Sequence, residues 1–183
     1  NELAERGNSV EMFQLGRILC SGNDDEARRI GLEWIHKSGN TEYPPALCWL
    51  GHYYLRIKKE NDAVEWFRKA AVVDEPSAQN QLGRMYLDGI GVAVDKRRAA
   101  ELFQAAASNG EVNGMVNLAA ALLVGSGVPR DFDRAVGLLQ EAASIGDKDA
   151  IKLISALDHK TPSSSPDQVL RDWARTQRGE SID

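Results

Sequence analysis

The chain has no stretch approaching the roughly 18 consecutive apolar residues that a membrane-spanning helix requires, so membrane insertion is not expected. It also lacks a basic surface. With 22 lysines and arginines against 27 aspartates and glutamates, the net charge is −5, which argues against non-specific nucleic-acid binding. Histidine is sparse, and His36, His52 and His159 are scattered without the spacing of metal ligands. No Gly-rich phosphate loop follows a strand, and no run reads convincingly as a strand. The segments GIGV (89–92) and GSGV (125–128) neither complete a GxGxxG motif nor lead into a lysine. Paired acids such as Asp24-Asp25 and Asp131/Asp133 fall where helices begin, so capping accounts for them. No nucleophile, general acid, general base or metal site can be assembled. The expectation is therefore a non-catalytic protein that needs no cofactor.

Cysteine is scarce as well. If successive first helices stack side by side, Cys20 and Cys48 lie about seven residues out of register. That is on the order of 10 Å along a helix axis, too far to bridge easily. Two unpaired thiols favour a reducing, cytoplasmic compartment, while the compartment itself stays open.

What the chain does contain is a repeat. The stretch from Ala78 to Gly110 returns 36 residues later: Leu82 as Leu118, Gly89 as Gly125, Gly91-Val92 as Gly127-Val128, Asp95 as Asp131, Ala99 as Ala135, Ala106-Ala107 as Ala142-Ala143, and Gly110 as Gly146. Each unit reads as a helical hairpin. Ala78, Leu82 and Tyr86 form one stripe of a first helix. Gly83 lets a facing helix approach, and Gly89 and Gly91 break the helix. Asp95 caps the second helix, Ala99, Leu102-Phe103 and Ala106-Ala107 are its apolar stripe, and Gly110 closes it. A single hairpin cannot bury its apolar face, so such units must stack.

Ala78, Leu82-Gly83, Tyr86, Gly89, Gly91-Val92, Asp95, Ala99, Ala106-Ala107 and Gly110 give the chain a pattern that resembles the Sel1-like repeat family, relatives of the tetratricopeptide repeats. The resemblance implies an all-α, right-handed solenoid of stacked helix-turn-helix repeats. Units are expected at about 8–40, 43–75, 76–110 and 112–146, with a partial unit at 148–159. Residues 1–7 read as the end of a preceding second helix, which predicts a longer parent chain. In the first unit Leu15-Gly16 and Leu19 stand at the Leu82-Gly83 and Tyr86 positions, Asn23 or Asp24 is the cap, and Ser38-Gly39 ends the second helix. In the second unit Leu50-Gly51, Tyr54, Ala63, Phe67 and Ala70 match tetratricopeptide spacing, with no glycine loop. A polar linker spans 160–166. A C-terminal helix and tail (167–183), with Val169, Leu170 and Trp173 on one side, is expected to cap the stack. Trp34, Trp49 and Trp66 lie in apolar stripes and are expected in the core.

In the tetratricopeptide relatives first helices line a concave surface that takes peptides or partner helices. Carried onto this chain, the position two residues after the repeat leucine holds Arg17, His52 and Arg84. The position two before holds Phe13, Cys48 and Asn80, and the position one before holds Gln14, Gln81 and Asn117. Arginines and amides suit a carboxylate or a peptide backbone, so the expected partner is a protein or acidic peptide bound by a monomeric scaffold or adaptor domain. An alternative is a regulatory, autoinhibitory repeat domain whose groove is filled in cis. Leu55, Leu87 and Leu123 are expected as core or as an apolar wall for a partner helix.

Overall fold

A computed structural model describes residues 2–158, and the expected linker and C-terminal helix lie outside them. The described residues are α-helical with no strand: α1 (Glu2–Ser21), α2 (Asp25–Asn40), α3 (Pro44–Arg56), α4 (Glu60–Val72), α5 (Pro76–Asp88), α6 (Lys96–Ser108), α7 (Val112–Val124), α8 (Phe132–Ser144) and α9 (Lys148–Asp158). They form two compact units that divide between Val94 and Asp95.

Local chemistry fixes most helix boundaries. Pro44 and Pro76 open α3 and α5 from the first turn, where a missing N–H costs nothing. Asp24 caps α2 by accepting from the Glu26 N–H at 3.0 Å. Asp95 and Asp131 cap α6 and α8 by accepting from Arg98 and Arg134 N–H, each at 3.0 Å. Gly89 and Gly125 end α5 and α7 in the left-handed conformation, with φ 72° and 75°.

In the first unit α1 packs on α2, α2 on α3, α3 on α4, and α4 on α5, and α3 also meets α5. Close approach depends on absent side chains. A Cβ on Gly16 would lie 2.6 Å from the Gly31 carbonyl oxygen, and one on Gly51 would lie 2.6 Å from the Phe67 ring. Ile35, Ala46, Leu47, Leu50, Ala63, Phe67 and Ala70 are fully buried in this unit. A polar clip, buried at Ser9 and Ser38, ties α1 to the end of α2: the Ser38 hydroxyl donates to the Ser9 carbonyl at 2.7 Å, and the Ser9 and Thr41 hydroxyls share a 2.6 Å bond. In the second unit α6 packs on α7, α7 on α8 and α8 on α9, around Phe103, Leu118, Leu139, Ala142 and Leu153.

Three expectations change. The chain is helical without a break from Glu2 to Ser21, where a helix end at Gly7 was expected. An interior glycine costs only about 1 kcal/mol, and no proline follows Gly7 within α1. The helix α2 runs through Ser38-Gly39 to Asn40, and its closing left-handed residue is Glu42, with φ 59°. The tryptophans Trp34, Trp49 and Trp66 are half-buried rather than core, because their stripes lie at the flank of the packed faces, where the indole edge stays wet.

Candidate functional site

The first helices of the first unit, α1, α3 and α5, lie as neighbours. Phe13 of α1 shares a buried cluster with Ala46 and Leu50 of α3, and Cys48 Sγ of α3 lies 4.0 Å from the Ser77 hydroxyl of α5. The repeat leucines Leu50 and Leu82 face inward, at 0% and 3% exposure. Two residues on, each helix has turned by about 200°, and Arg17, His52 and Arg84 are all exposed. Three neighbouring helices thus carry one accessible nitrogen-bearing side chain each, at one register.

Their environments differ. The Arg17 guanidinium sits over the Phe13 ring at 5.6 Å. The His52 ring meets the fully buried Phe67 edge-on at 5.1 Å, and burial of that face holds it below the usual histidine range, so it is neutral at pH 7. Elsewhere on this unit Arg28, Arg29 and Arg68 pair with acids. Among the described residues neither Arg17 nor Arg84 forms an ion pair.

The remaining expected site residues divide. Gln14 is exposed, and Gln81 and Cys48 are half-buried. Phe13 and Asn80 are buried, at 7% and 4% exposure. The register two before the leucine is turned as far from it as the register two after, but it packs toward the neighbouring first helix, as Phe13 does with Ala46 and Leu50 of α3. Phe13 and Asn80 present almost no surface. Asn117 lies half-buried on α7 in the second unit. Leu55 and Leu87 are half-buried, whereas Leu123 is core at 4% exposure.

Sequence reasoning missed an aromatic ribbon on the first unit. Trp49 stacks on Tyr53 at 5.4 Å, and Tyr53 meets Tyr54 edge-on at 5.4 Å. The Tyr54 hydroxyl and His36 Nε2 share a 3.1 Å hydrogen bond, and His36 lies 5.3 Å from the Trp66 ring. Burial, aided by the Lys69 charge, holds His36 below its ordinary range. Burial likewise pushes the Tyr54 phenol up, with Asp62 and Tyr53 adding to it. Cations cover three of the rings: Lys37 over Trp34 at 4.5 Å, Lys69 over Trp66 at 4.3 Å, and Arg56 over Tyr53 at 5.8 Å. The signal was available, since Trp34-x-x-Lys37 recurs 32 residues on as Trp66-x-x-Lys69.

Burial pushes the Cys20 thiol up, against the opposing pull of Arg28 and Arg56, which disfavours the nucleophilic thiolate. Among the described residues no group of three or more His, Cys, Asp or Glu side chains is placed to hold a metal ion, and no helix is long and apolar enough to cross a membrane.

A family model described as Sel1 repeat matches residues 44–71, 76–111 and 112–147. The Arabidopsis thaliana ERAD-associated E3 ubiquitin-protein ligase component HRD3B is 34% identical over 105 residues, covering 52% of this chain. The match covers only 16% of that relative's length. Among solved structures, a Sel1 repeat protein from Oxalobacter formigenes aligns with a TM-score of 0.76 at 24% identity, over 96% of this chain and 75% of that one. A protective antigen present in uropathogenic Escherichia coli strains, displaying an SLR fold, aligns with a TM-score of 0.74 at 28% identity, over 98% of this chain and 42% of that one.

Proposed function

The chain belongs to the Sel1 repeat family, and from that premise we propose that it is a non-catalytic scaffold that holds an acidic peptide or acidic helix face along α1, α3 and α5. Sel1 repeat proteins are in general protein-interaction scaffolds. The observation that carries the finer reading is the pair of unpaired, exposed guanidiniums, Arg17 and Arg84, flanking His52 at one register of three adjacent helices. Elsewhere on the same unit Arg28, Arg29 and Arg68 are consumed by local ion pairs, whereas Arg56 lies over the Tyr53 ring. Guanidinium forks bind carboxylates in two-point fashion, and His52, neutral at pH 7, offers a hydrogen bond without adding charge. Gln14 and Gln81 stand one residue before the leucine register, on the flank of this line, as amide partners for a peptide backbone.

The test is fluorescence anisotropy with a panel of labelled Glu/Asp-rich peptides, free and amidated at the C-terminus. Wild type is compared with Arg17→Glu/Arg84→Glu, and circular dichroism is used to verify helicity. Charge reversal is expected to weaken binding by at least about tenfold, equivalent to about 1.4 kcal/mol, and to flatten its salt dependence. Equal affinity in a folded double variant would retire the proposal. Removal of residues 160–183 in the same assay tests cis occupancy: a large gain in affinity would mean that the tail competes for the line.

A further inference from the structure

The helix α3 carries no acidic residue, and its two basic side chains, His52 and Arg56, are both exposed. Trp49, Tyr53 and Arg56 fall at i, i+4 and i+7, one stripe of that helix. The Trp49 and Tyr53 rings lie 5.4 Å apart with their planes 8° from parallel, and the Arg56 guanidinium lies 5.8 Å over the Tyr53 ring. Indole, phenol and guanidinium thus form one column along the helix. The two rings are half-buried and Arg56 is exposed, so the guanidinium is the open end.

A guanidinium is planar, with its N–H donors at the edge and stacking surfaces above and below. Tyr53 takes one surface of Arg56. The second surface and the donor edge stay available, since Arg56 forms no ion pair among the described residues. The adjacent first helix repeats the device: Arg17 lies 5.6 Å over the Phe13 ring, and Trp49 packs against the cluster that holds Phe13. Two guanidiniums are therefore placed by rings, which leave their charge uncompensated, whereas Arg28, Arg29 and Arg68 are placed by carboxylates.

A ligand group that extends the column has to be flat, and it gains most if its face is electron-rich. An aromatic side chain meets both conditions, while an aliphatic one gains burial alone. A nucleobase is also flat, but the phosphates that come with it call for a basic surface, which a net charge of −5 does not supply.

We propose that the Trp49–Tyr53–Arg56 column is a subsite for an aromatic side chain of an acidic peptide. The ring stacks on the outer surface of Arg56, and a carboxylate beside it in the peptide takes the donor edge. This inference rests on the acidic-peptide reading above and adds the feature that selects among acidic partners.

Fluorescence anisotropy of the 183-residue chain with labelled Glu-Asp-X-Asp-Glu peptides tests it, X being phenylalanine, leucine, proline or alanine. The phenylalanine peptide is expected to bind about tenfold more tightly than the alanine peptide and about threefold more tightly than the leucine peptide. Arg56→Lys keeps the charge but loses the planar surface, so it should erase the preference for phenylalanine over leucine and keep the salt dependence. Tyr53→Leu, with helicity verified by circular dichroism, should erase the same preference by releasing the guanidinium. Acidic peptides that bind through Arg17 and Arg84 with no preference at X would overturn this inference and leave the acidic line standing. A preference that survives both substitutions, or tighter binding of the proline peptide or of a single-stranded oligonucleotide, would overturn it too. A phenylalanine preference erased by Arg56→Lys but indifferent to Arg17→Glu/Arg84→Glu would retire the acidic line and keep the column. Absence of binding by every peptide would retire both.

Discussion

The turn that follows each second helix is made twice in one chemistry and twice in another. In the first unit it rests on Glu42 and Asp74, with φ 59° and 57°; in the second it rests on Gly110 and Gly146, with φ 82° and 94°. These four residues are equivalent, at spacings of 32, 36 and 36. The faces differ in the same way. Every Phe, Trp and Tyr except Phe103, Phe132 and Trp173 precedes Val94. The Trp34 and Trp66 position becomes Leu102 and Leu138, and the Lys37 and Lys69 position becomes Ala105 and Glu141. One backbone plan thus tolerates two side-chain regimes. The second unit relies on glycine and aliphatic packing, and the first keeps amphipathic rings at its surface.

The sharpest way to break this comparison is to attack the glycine loops that the α3–α4 turn does without. Gly91 has φ 67°, and a Cβ there would lie 2.6 Å from the Glu60 carbonyl at the start of α4. Its counterpart Gly127 has φ 75°, and a methyl there would run into the Lys96 carbonyl at the start of α6. Backbone atoms cannot swing aside as a side chain can. Gly127→Ala and Gly91→Ala should each cost about 2–4 kcal/mol, combining left-handed strain with a rigid clash. Urea denaturation followed by circular dichroism measures this, and a loss below about 1 kcal/mol would show that the loop moves off the helix start at little cost.

These loops also show what was legible in advance. Their glycines, the Asp95 and Asp131 caps and the fold class followed from repetition, because a residue that returns at a fixed period is held there by local backbone geometry. Glu42 was not legible as a turn residue, since glutamate carries no conformational signature and only its alignment with Gly110 reveals it. The site was half legible. The register of Arg17, His52 and Arg84 was carried over from the tetratricopeptide resemblance, and the three are exposed, but the burial of Phe13 and Asn80 depended on how tightly neighbouring first helices approach. The aromatic ribbon depended on contacts among α2, α3 and α4, which no single-helix pattern contains.

Capping offers a milder contrast. Asp131 supplies α8 with a side-chain acceptor, whereas α4 starts from Lys59 with none. Asp131→Ala should cost about 1 kcal/mol, and Lys59→Asp should recover part of that amount for α4. Equal denaturation midpoints for Asp131→Ala and wild type would mean that solvent caps α8 as well as the carboxylate does.

Acid should separate the units through histidine. His36 and His52, both in the first unit, are held below their ordinary range in the fold, so the unfolded chain takes up protons first as pH falls. Stability is then fully present above about pH 6.5 and declines as pH drops through the lower folded values. Amide exchange at pH 7.5 and pH 5.5 should show α2, α3 and α4 loosening more than α7 and α8, with His36→Gln reducing the difference. Uniform loosening would assign the acid response to carboxylates instead.

The smallest expected effect addresses the turn itself. Glu42 holds a left-handed backbone that costs a non-glycine residue roughly 1–2 kcal/mol. Glu42→Gly removes that strain but gives the unfolded chain more freedom, which takes back about 0.5–1 kcal/mol. The net should be a gain of a few tenths to about 1 kcal/mol. The reverse exchange is equally clean, because nothing lies within 4 Å of where a Cβ would stand on Gly146. Gly146→Ala should therefore lose stability by a similar margin, through backbone strain alone. If both substitutions were neutral, the two chemistries of the turn would be energetically interchangeable. If Glu42→Gly were destabilising, Glu42 would have to contribute an interaction that outweighs its strain, and the first unit's turn would be more than a tolerated variant of the second's.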